Sequence, residues 1–323
     1  MKRIGFILIS WIAIAGCERP DKSTPQPASP GSGPSPQDKG TSLVEARKGF
    51  QSKLVRRNEE KEPVDEPPPK IFRKVQYESA VGNLAAYLTP DPKDSKKHPA
   101  IIWITGGDCN SIGDVWSDQK PDNDQTASAY RKAGLVMMFP SLRGGNDNPG
   151  QKEGFLGEVD DVVAAADFVS KLEYVDPTRI YLGGHSTGGT LVLLVAECSD
   201  RFRAVFSFGP VDDVAGYGPE YLPFDFRGRR EVELRSPVHW LSAIKTPVFV
   251  FEGTRQGNLA SLQAMSRESQ NPNLHFYPAR GATHFNVLAP TNKLIASKVL
   301  RDDGPACNLA FTEDEVNQSM KKK

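Results

Sequence analysis

The chain has 323 residues, and its 40 Lys and Arg are balanced by 40 Asp and Glu. This neutral balance gives no electrostatic footprint for a nucleic-acid partner. The length suits one large domain with appendages. No C-x-x-C pair, Cys/His cluster, P-loop or dinucleotide-binding G-x-G-x-x-G is present, so we expect neither a metal site nor a cofactor.

The first residues have the pattern of an export signal. Lys2 and Arg3 precede an apolar run, Ile4–Ile14, which is too short for a comfortable membrane span. The run ends in the letters IAGC, which resemble the lipobox of bacterial lipoproteins. The resemblance implies a signal peptide over residues 1–16, a lipid on Cys17 and a membrane-anchored protein on the periplasmic or outer surface. The alternative is a plain secretory signal in which Cys17 is incidental.

Residues 17–70 are predicted to be a tether. Glu18–Gly40 is rich in Pro, Ser, Gly and Gln and holds too few apolar residues to form a core. Thr41–Arg57 contains scattered apolar positions and is predicted to include a short helix that docks on the domain. Asn58–Lys70 is charged and proline-rich. At the other end, the polar tail over residues 303–323 is expected to be loose.

Residues 71–302 alternate strand and helix patterns, which favours an α/β fold with a mostly parallel sheet and helices on both faces. The first two strands are joined at Gly82-Asn83, a hairpin signal, so this end is expected to be antiparallel. Fully apolar runs such as Ala100–Thr105 and Gly134–Pro140 are typical of central strands buried on both faces.

The stretch Arg179–Thr190, RIYLGGHSTGGT, reads as a strand, a tight turn and a helix. It contains G-x-S-x-G, the nucleophile elbow, in which the turn is so tight that Gly184 and Gly188 must lack side chains. The pattern predicts that Ser186 is a nucleophile. The alternative is a glycine-rich turn with an inert buried serine.

A serine nucleophile needs a base, a partner that orients the base, and donors for the oxyanion. Of the five histidines, His284 stands in GATHF directly after the last strand, where this fold places the base. The expected oxyanion donors are the backbone N–H of Thr187 and one from Gly107 or Asp108 in the loop after the first central strand.

Several stretches in this order resemble the catalytic domain of the prolyl oligopeptidase family, near the dienelactone-hydrolase-like esterases. They are HPAIIWITGG, FPSLRGGNDNPG, GEVDDVVAAADFV, DPTRIYLGGHSTGG, IKTPVFVFEGT and GATHF. The resemblance covers residues 71–300 and implies an α/β-hydrolase fold and serine peptidase or esterase chemistry. The family's acid position falls on Gln256, so one member of the triad does not match.

Three interpretations of Gln256 remain open from the sequence. Another carboxylate acts as the acid, with Asp212, Asp213 and Glu252 as candidates. Alternatively, Gln256 itself orients a neutral His284. In the third interpretation, the protein is a degenerate hydrolase that binds rather than cleaves.

The sequence therefore supports two hypotheses from different classes. The first is an exported, lipid-anchored serine hydrolase acting on a small-molecule or peptide substrate. The second is a non-catalytic binding lipoprotein on the same scaffold. In both, the irregular stretch Pro210–Lys245, which we call the excursion, is the expected pocket wall.

Overall fold

The structure is a computed structural model, and it describes residues 42–57 and 61–321. The predicted signal peptide, the proposed lipidation site Cys17 and the stretch Glu18–Gly40 lie outside the described residues.

Eight strands form one sheet in the order β1-β2-β4-β3-β5-β6-β7-β8. The strands are β1 (Arg73–Ser79), β2 (Gly82–Leu88), β3 (His98–Ile104), β4 (Val136–Pro140), β5 (Val175–His185), β6 (Val205–Phe208), β7 (Val248–Gly253) and β8 (Leu274–Ala279). β1 pairs antiparallel with β2, and β2 pairs antiparallel with β4. All later pairs are parallel. The predicted fold class is thus confirmed, including its antiparallel N-terminal hairpin.

Helices cover both faces of this sheet. They are α1 (Leu43–Arg47), α2 (Ala129–Lys132), α3 (Glu158–Val169), α4 (Thr187–Cys198), α5 (Arg229–Glu233), α6 (Leu259–Glu268), α7 (Leu288–Val299) and α8 (Glu313–Ser319). Alternate side chains of β3 enter two separate cores: Ile102 packs on the side of α3 and α4, and Trp103 on the side of α2 and α7. Burial on both faces explains why β3 is apolar throughout.

Residues 42–57, which we call the strap, lie against the excursion. The strap contains the predicted short helix as α1, whose Leu43 is fully buried. Further along, Leu54 forms an antiparallel bridge with Phe224. The Arg235 guanidinium donates hydrogen bonds to Ser52 and Glu231, so buried polar contacts also hold the strap in place.

The expectation of a loose tail was wrong for residues 303–321. α8 begins with a capping box, in which Thr312 and Glu315 exchange side-chain and backbone hydrogen bonds. The preceding Phe311 is nearly buried among aromatic rings of β6, β7 and β8. Phe311 and the capping box of α8 thus hold this polar segment on the domain. The amino-acid composition of the segment indicates neither feature.

Within residues 42–57 and 61–321, no helix is both long and apolar enough to cross a membrane.

Candidate active site

Ser186 lies on a strained turn between β5 and α4. Its φ of 56° and ψ of −115° fall in a region that non-glycine residues rarely adopt. A Cβ on Gly184 would lie 2.5 Å from the carbonyl oxygen of Gly188, and one on Gly188 would lie 2.4 Å from that of Ile104. Both glycines of the motif are therefore required sterically. The Ser186 N–H donates to the Phe208 carbonyl (2.7 Å), which fixes the turn at the end of β6.

His284 lies in the loop after β8 and is 8% exposed. Its Nδ1 is 2.8 Å from Oε2 of Glu252, a fully buried residue near the end of β7. Two backbone N–H groups also donate to this carboxylate, from Gly253 (2.6 Å) and Asn258 (3.2 Å). These donors compensate for the water that the buried carboxylate has lost. Glu252 therefore stands where an acid that orients a catalytic histidine would stand.

Two glycines with positive φ make room for the pair of Glu252 and His284. A Cβ on Gly209 (φ 57°) would lie 2.4 Å from Cε1 of His284 and 2.5 Å from Oε2 of Glu252. A Cβ on Gly257 (φ 108°) would lie 2.8 Å from Cβ of His284. The carboxylate and the imidazole can meet only because both neighbouring positions lack side chains.

The other candidate partners of His284 lie elsewhere. Asp212 accepts a hydrogen bond from the Ser261 hydroxyl (2.6 Å). Asp213 caps a 3₁₀ turn and accepts from the Ala215 N–H (2.8 Å). Gln256 is exposed, has a φ of 64° and makes no hydrogen bond to His284 within the described residues. Of the three carboxylates considered, the structure brings only Glu252 to His284.

The proposed oxyanion donors lie on neighbouring segments. Thr187 is the first residue of α4, and its hydroxyl donates to the Gly107 carbonyl (2.9 Å). A Cβ on Gly106 would lie 3.2 Å from Cβ of Ser186, so this loop lies directly against Ser186. In the described part of the chain, the N–H groups of Thr187 and Gly107 have no hydrogen-bond partner. They are therefore available to a substrate oxygen, as unpaired N–H groups at the start of a helix commonly are.

His185 connects the two sides of this site. Its ring lies 4.5 Å from that of His284, and its Nε2–H donates to the His284 backbone carbonyl (3.0 Å). Its Nδ1 accepts from the Gln125 amide (2.9 Å). Burial, with a smaller effect from neighbouring His284, lowers the pKa of His185 to about 3. The neutral imidazole can thus hold the loop of His284 without adding a positive charge beside it.

The excursion contacts the start of α4 at Tyr217, and its aromatic residues differ in role. Tyr217 is hydrogen-bonded to Thr190 in the first turn of α4 (2.7 Å between hydroxyl oxygens). Phe224 is fully buried and Trp240 is nearly buried, so both are packing residues. Tyr221 and Phe226 are exposed.

Sequence reasoning missed two residues of this site. Gln125 orients His185, and the Asn258 side chain donates to the Gly209 carbonyl (2.8 Å) while its backbone donates to Glu252. Both are amide residues in loops, and their side chains bond to residues far away in the chain, His185 and Gly209. No local pattern in the sequence marks such residues.

Among the described residues, no group of three His, Cys, Asp or Glu side chains could hold a metal ion. Cys109, Cys198 and Cys307 are all free thiols.

The sheet order, the strained elbow and the histidine after the last strand define an α/β-hydrolase fold. Residues 121–278 match the sequence model of the prolyl oligopeptidase family. Dipeptidyl-peptidase 5 of Porphyromonas gingivalis is 31% identical over 134 residues, which cover 39% of this chain and 19% of that protein. The acylamino-acid-releasing enzyme of Rattus norvegicus is 24% identical over 223 residues, which cover 61% of this chain and 29% of that enzyme.

Solved structures agree on the fold. The acylaminoacyl peptidase of Pyrococcus horikoshii superposes with a TM-score of 0.59 at 15% identity, over 76% of this chain and 43% of that chain. The chain thus spans less than half the length of each of these relatives. It carries an α/β-hydrolase catalytic domain with distant homology to serine peptidases of the prolyl oligopeptidase family.

Replacing Glu252 should slow the reaction of Ser186. We expect Glu252→Gln to lower the rate of labelling by a fluorophosphonate about 10⁴-fold, because the amide no longer holds His284 in the required tautomer. The matched control is Gln256→Asn in the neighbouring loop, since asparagine tolerates positive φ. It should label at nearly the rate of the unchanged protein. A larger loss for Gln256→Asn than for Glu252→Gln would contradict the assignment.

Protonation of His185 should destabilise the folded protein at acid pH. Its pKa is lowered from 6.5 in an ordinary setting to about 3 in the fold. Below about pH 6.5, His185 is therefore protonated in the unfolded chain while it stays neutral in the folded protein. This group should lower the free energy of unfolding by about 2 kcal/mol between about pH 7.5 and pH 5. The free energy of unfolding, measured with urea at each pH, should fall by about 2 kcal/mol less in His185→Gln than in the unchanged protein. The exposed control His239→Gln should show the full decrease.

Proposed function

We propose that the protein is a serine hydrolase that forms an acyl-enzyme at Ser186. The observation that carries this proposal is the 2.8 Å contact between His284 Nδ1 and the buried Glu252 carboxylate. This contact lies at the carboxyl ends of the parallel strands, as does the strained nucleophile elbow at Ser186. A histidine that merely filled space would not need a buried carboxylate, whose desolvation is costly.

The mechanism follows from the roles of these groups. Ser186 Oγ attacks the acyl carbon of the substrate, and His284 Nε2 takes the hydroxyl proton. The carbonyl oxygen becomes an oxyanion, which accepts hydrogen bonds from the N–H groups of Thr187 and Gly107. The C–N or C–O bond to the leaving group breaks as His284 returns the proton to it. Water then attacks the acyl-enzyme with His284 again as base, and this step frees Ser186 and releases the acid.

In this mechanism Glu252 stays ionised throughout. It accepts the Nδ1–H of His284 and stabilises the imidazolium that forms when Ser186 loses its proton. A glutamate here replaces the aspartate expected at the position of Gln256. The longer glutamate side chain starts inside β7, four residues earlier in the chain, and still reaches the histidine.

Peptides are the proposed substrate class, because the similar dipeptidyl-peptidase 5 is named as a peptidase, and esters share the same acyl chemistry. The non-catalytic alternative was motivated by Gln256. That residue is exposed and makes no hydrogen bond to His284 within the described residues, so it gives no reason to prefer the non-catalytic hypothesis.

Hydrolysis should depend on Ser186. Ser186→Ala should lower the turnover of p-nitrophenyl esters and peptide p-nitroanilides by at least about 10⁴-fold. Ser199→Ala, at the other end of α4, is the control and should leave turnover unchanged. If the unchanged protein hydrolyses neither class and Ser186 takes up no fluorophosphonate, the protein is a binding protein rather than an enzyme.

We also propose that Cys17 carries a lipid and anchors the protein to a bacterial membrane. The support is the IAGC sequence after a short apolar run. In cells supplied with radiolabelled palmitate, the protein should incorporate label, and Cys17→Ser should abolish it. Cys198→Ser should retain the label. Incorporation that is equal in both variants would show that Cys17 is not the site.

A further inference from the structure

Six large apolar side chains are exposed in the described residues, and four of them lie on the strap and the excursion. Val44 (41% exposed) and Val55 (52%) belong to the strap, and Tyr221 (58%) and Phe226 (40%) to the excursion. Isolated exposed apolar side chains are ordinary, but a cluster of them commonly marks an interaction surface.

The two segments form one continuous surface. The Val55 N–H donates to the Pro223 carbonyl (2.8 Å), and the Asp225 N–H donates to the Lys53 carbonyl (2.9 Å). This antiparallel pairing directs Phe224 into the core, so Val55, one position along the strap from its partner Leu54, faces outwards. The Arg56 guanidinium donates to the Pro219 carbonyl (3.0 Å) and brings the turn with Tyr221 beside the strap.

The strap and residues 217–230 carry seven exposed cations: Lys48, Lys53, Arg56, Arg57, Arg227, Arg229 and Arg230. The carboxylates of these segments and of α5 that are not buried are fewer: Glu45, Glu220, Asp225 and Glu233. Three of these carboxylates are neutralised in ion pairs with Lys48, Lys53, Arg227 and Arg230. Within the described residues, Arg57 and Arg229 have no carboxylate partner, and Arg56 binds backbone carbonyls rather than an acid.

We propose that this basic aromatic face, the strap with residues 217–230, docks on an anionic membrane surface. Arginine and lysine attract anionic headgroups, and tyrosine, phenylalanine and valine insert at the boundary between headgroups and acyl chains.

The position of this face in the chain agrees with that occupant. The strap is the first described segment after Cys17, and 24 residues separate Cys17 from Ser42. A chain of that length spans at most about 90 Å when fully extended. A lipid on Cys17 would therefore keep the strap within that distance of a bilayer and raise its effective concentration there, so that even weak binding is effective.

The test measures vesicle binding of the full chain with Cys17→Ser in every version, so that no lipid contributes. Vesicles of phosphatidylglycerol with phosphatidylethanolamine are compared with vesicles of phosphatidylcholine by co-sedimentation. The test variant carries Arg57→Glu, Arg229→Glu and Tyr221→Ser, all at exposed positions. The control carries Arg267→Glu, Lys293→Glu and Leu300→Ser, all at exposed positions outside the strap and the excursion. It changes the net charge by the same amount and likewise removes one exposed apolar side chain. The N-terminal segment is the same in all versions and cannot cause a difference between them.

We expect at least tenfold tighter binding to the anionic vesicles, at least a tenfold loss in the test variant, and no loss in the control. Equal binding to both kinds of vesicle, or equal losses in both variants, would overturn the proposal. So would a test variant that binds vesicles normally but fails to hydrolyse long peptides while cleaving short esters. Since vesicle binding is read without turnover, an inactive Ser186 would leave this result intact.

Discussion

The buried carboxylate of Glu252 is the constraint on which the site depends. A carboxylate that has lost its water must be surrounded by donors, and three groups supply them: the Gly253 and Asn258 N–H groups and Nδ1 of His284. The two N–H groups lie at or directly after the end of β7, and His284 follows β8. The imidazole is therefore held by the same contacts that make the buried charge tolerable, and Gly209 supplies the space in which they meet.

The opposite side of the site is set by backbone strain. The conformation of Ser186 is tolerated because β5 and α4 fix both of its neighbours, and because close packing excludes any side chain at Gly184 or Gly188. His185 then connects this rigid turn to the backbone of His284. Ser186 and His284 are thus positioned relative to each other through the scaffold, which would lower the entropic cost of the reaction that we propose for them.

Much of this arrangement could be predicted from the sequence, because it depends on local patterns. The alternation of strand and helix patterns predicts the fold. The motifs around Ser186 and His284 predict that each residue directly follows a strand. The acid could not be chosen among Asp212, Asp213 and Glu252. That choice depends on which side chain at the end of β7 or after β6 faces the loop of His284, and spacing along the chain carries no information on this. The docking of residues 303–321 could not be predicted for a similar reason. The rings that Phe311 contacts come together only in the folded sheet.

The hydrogen bond between His284 and Glu252 is measured most directly by proton NMR of the folded protein with ¹⁵N-labelled histidine. We expect a strongly downfield Nδ1–H resonance from His284, absent in Glu252→Gln and unchanged in Gln256→Asn. If this resonance persists in Glu252→Gln, or is never seen at any pH at which the protein is folded, then Glu252 does not orient His284.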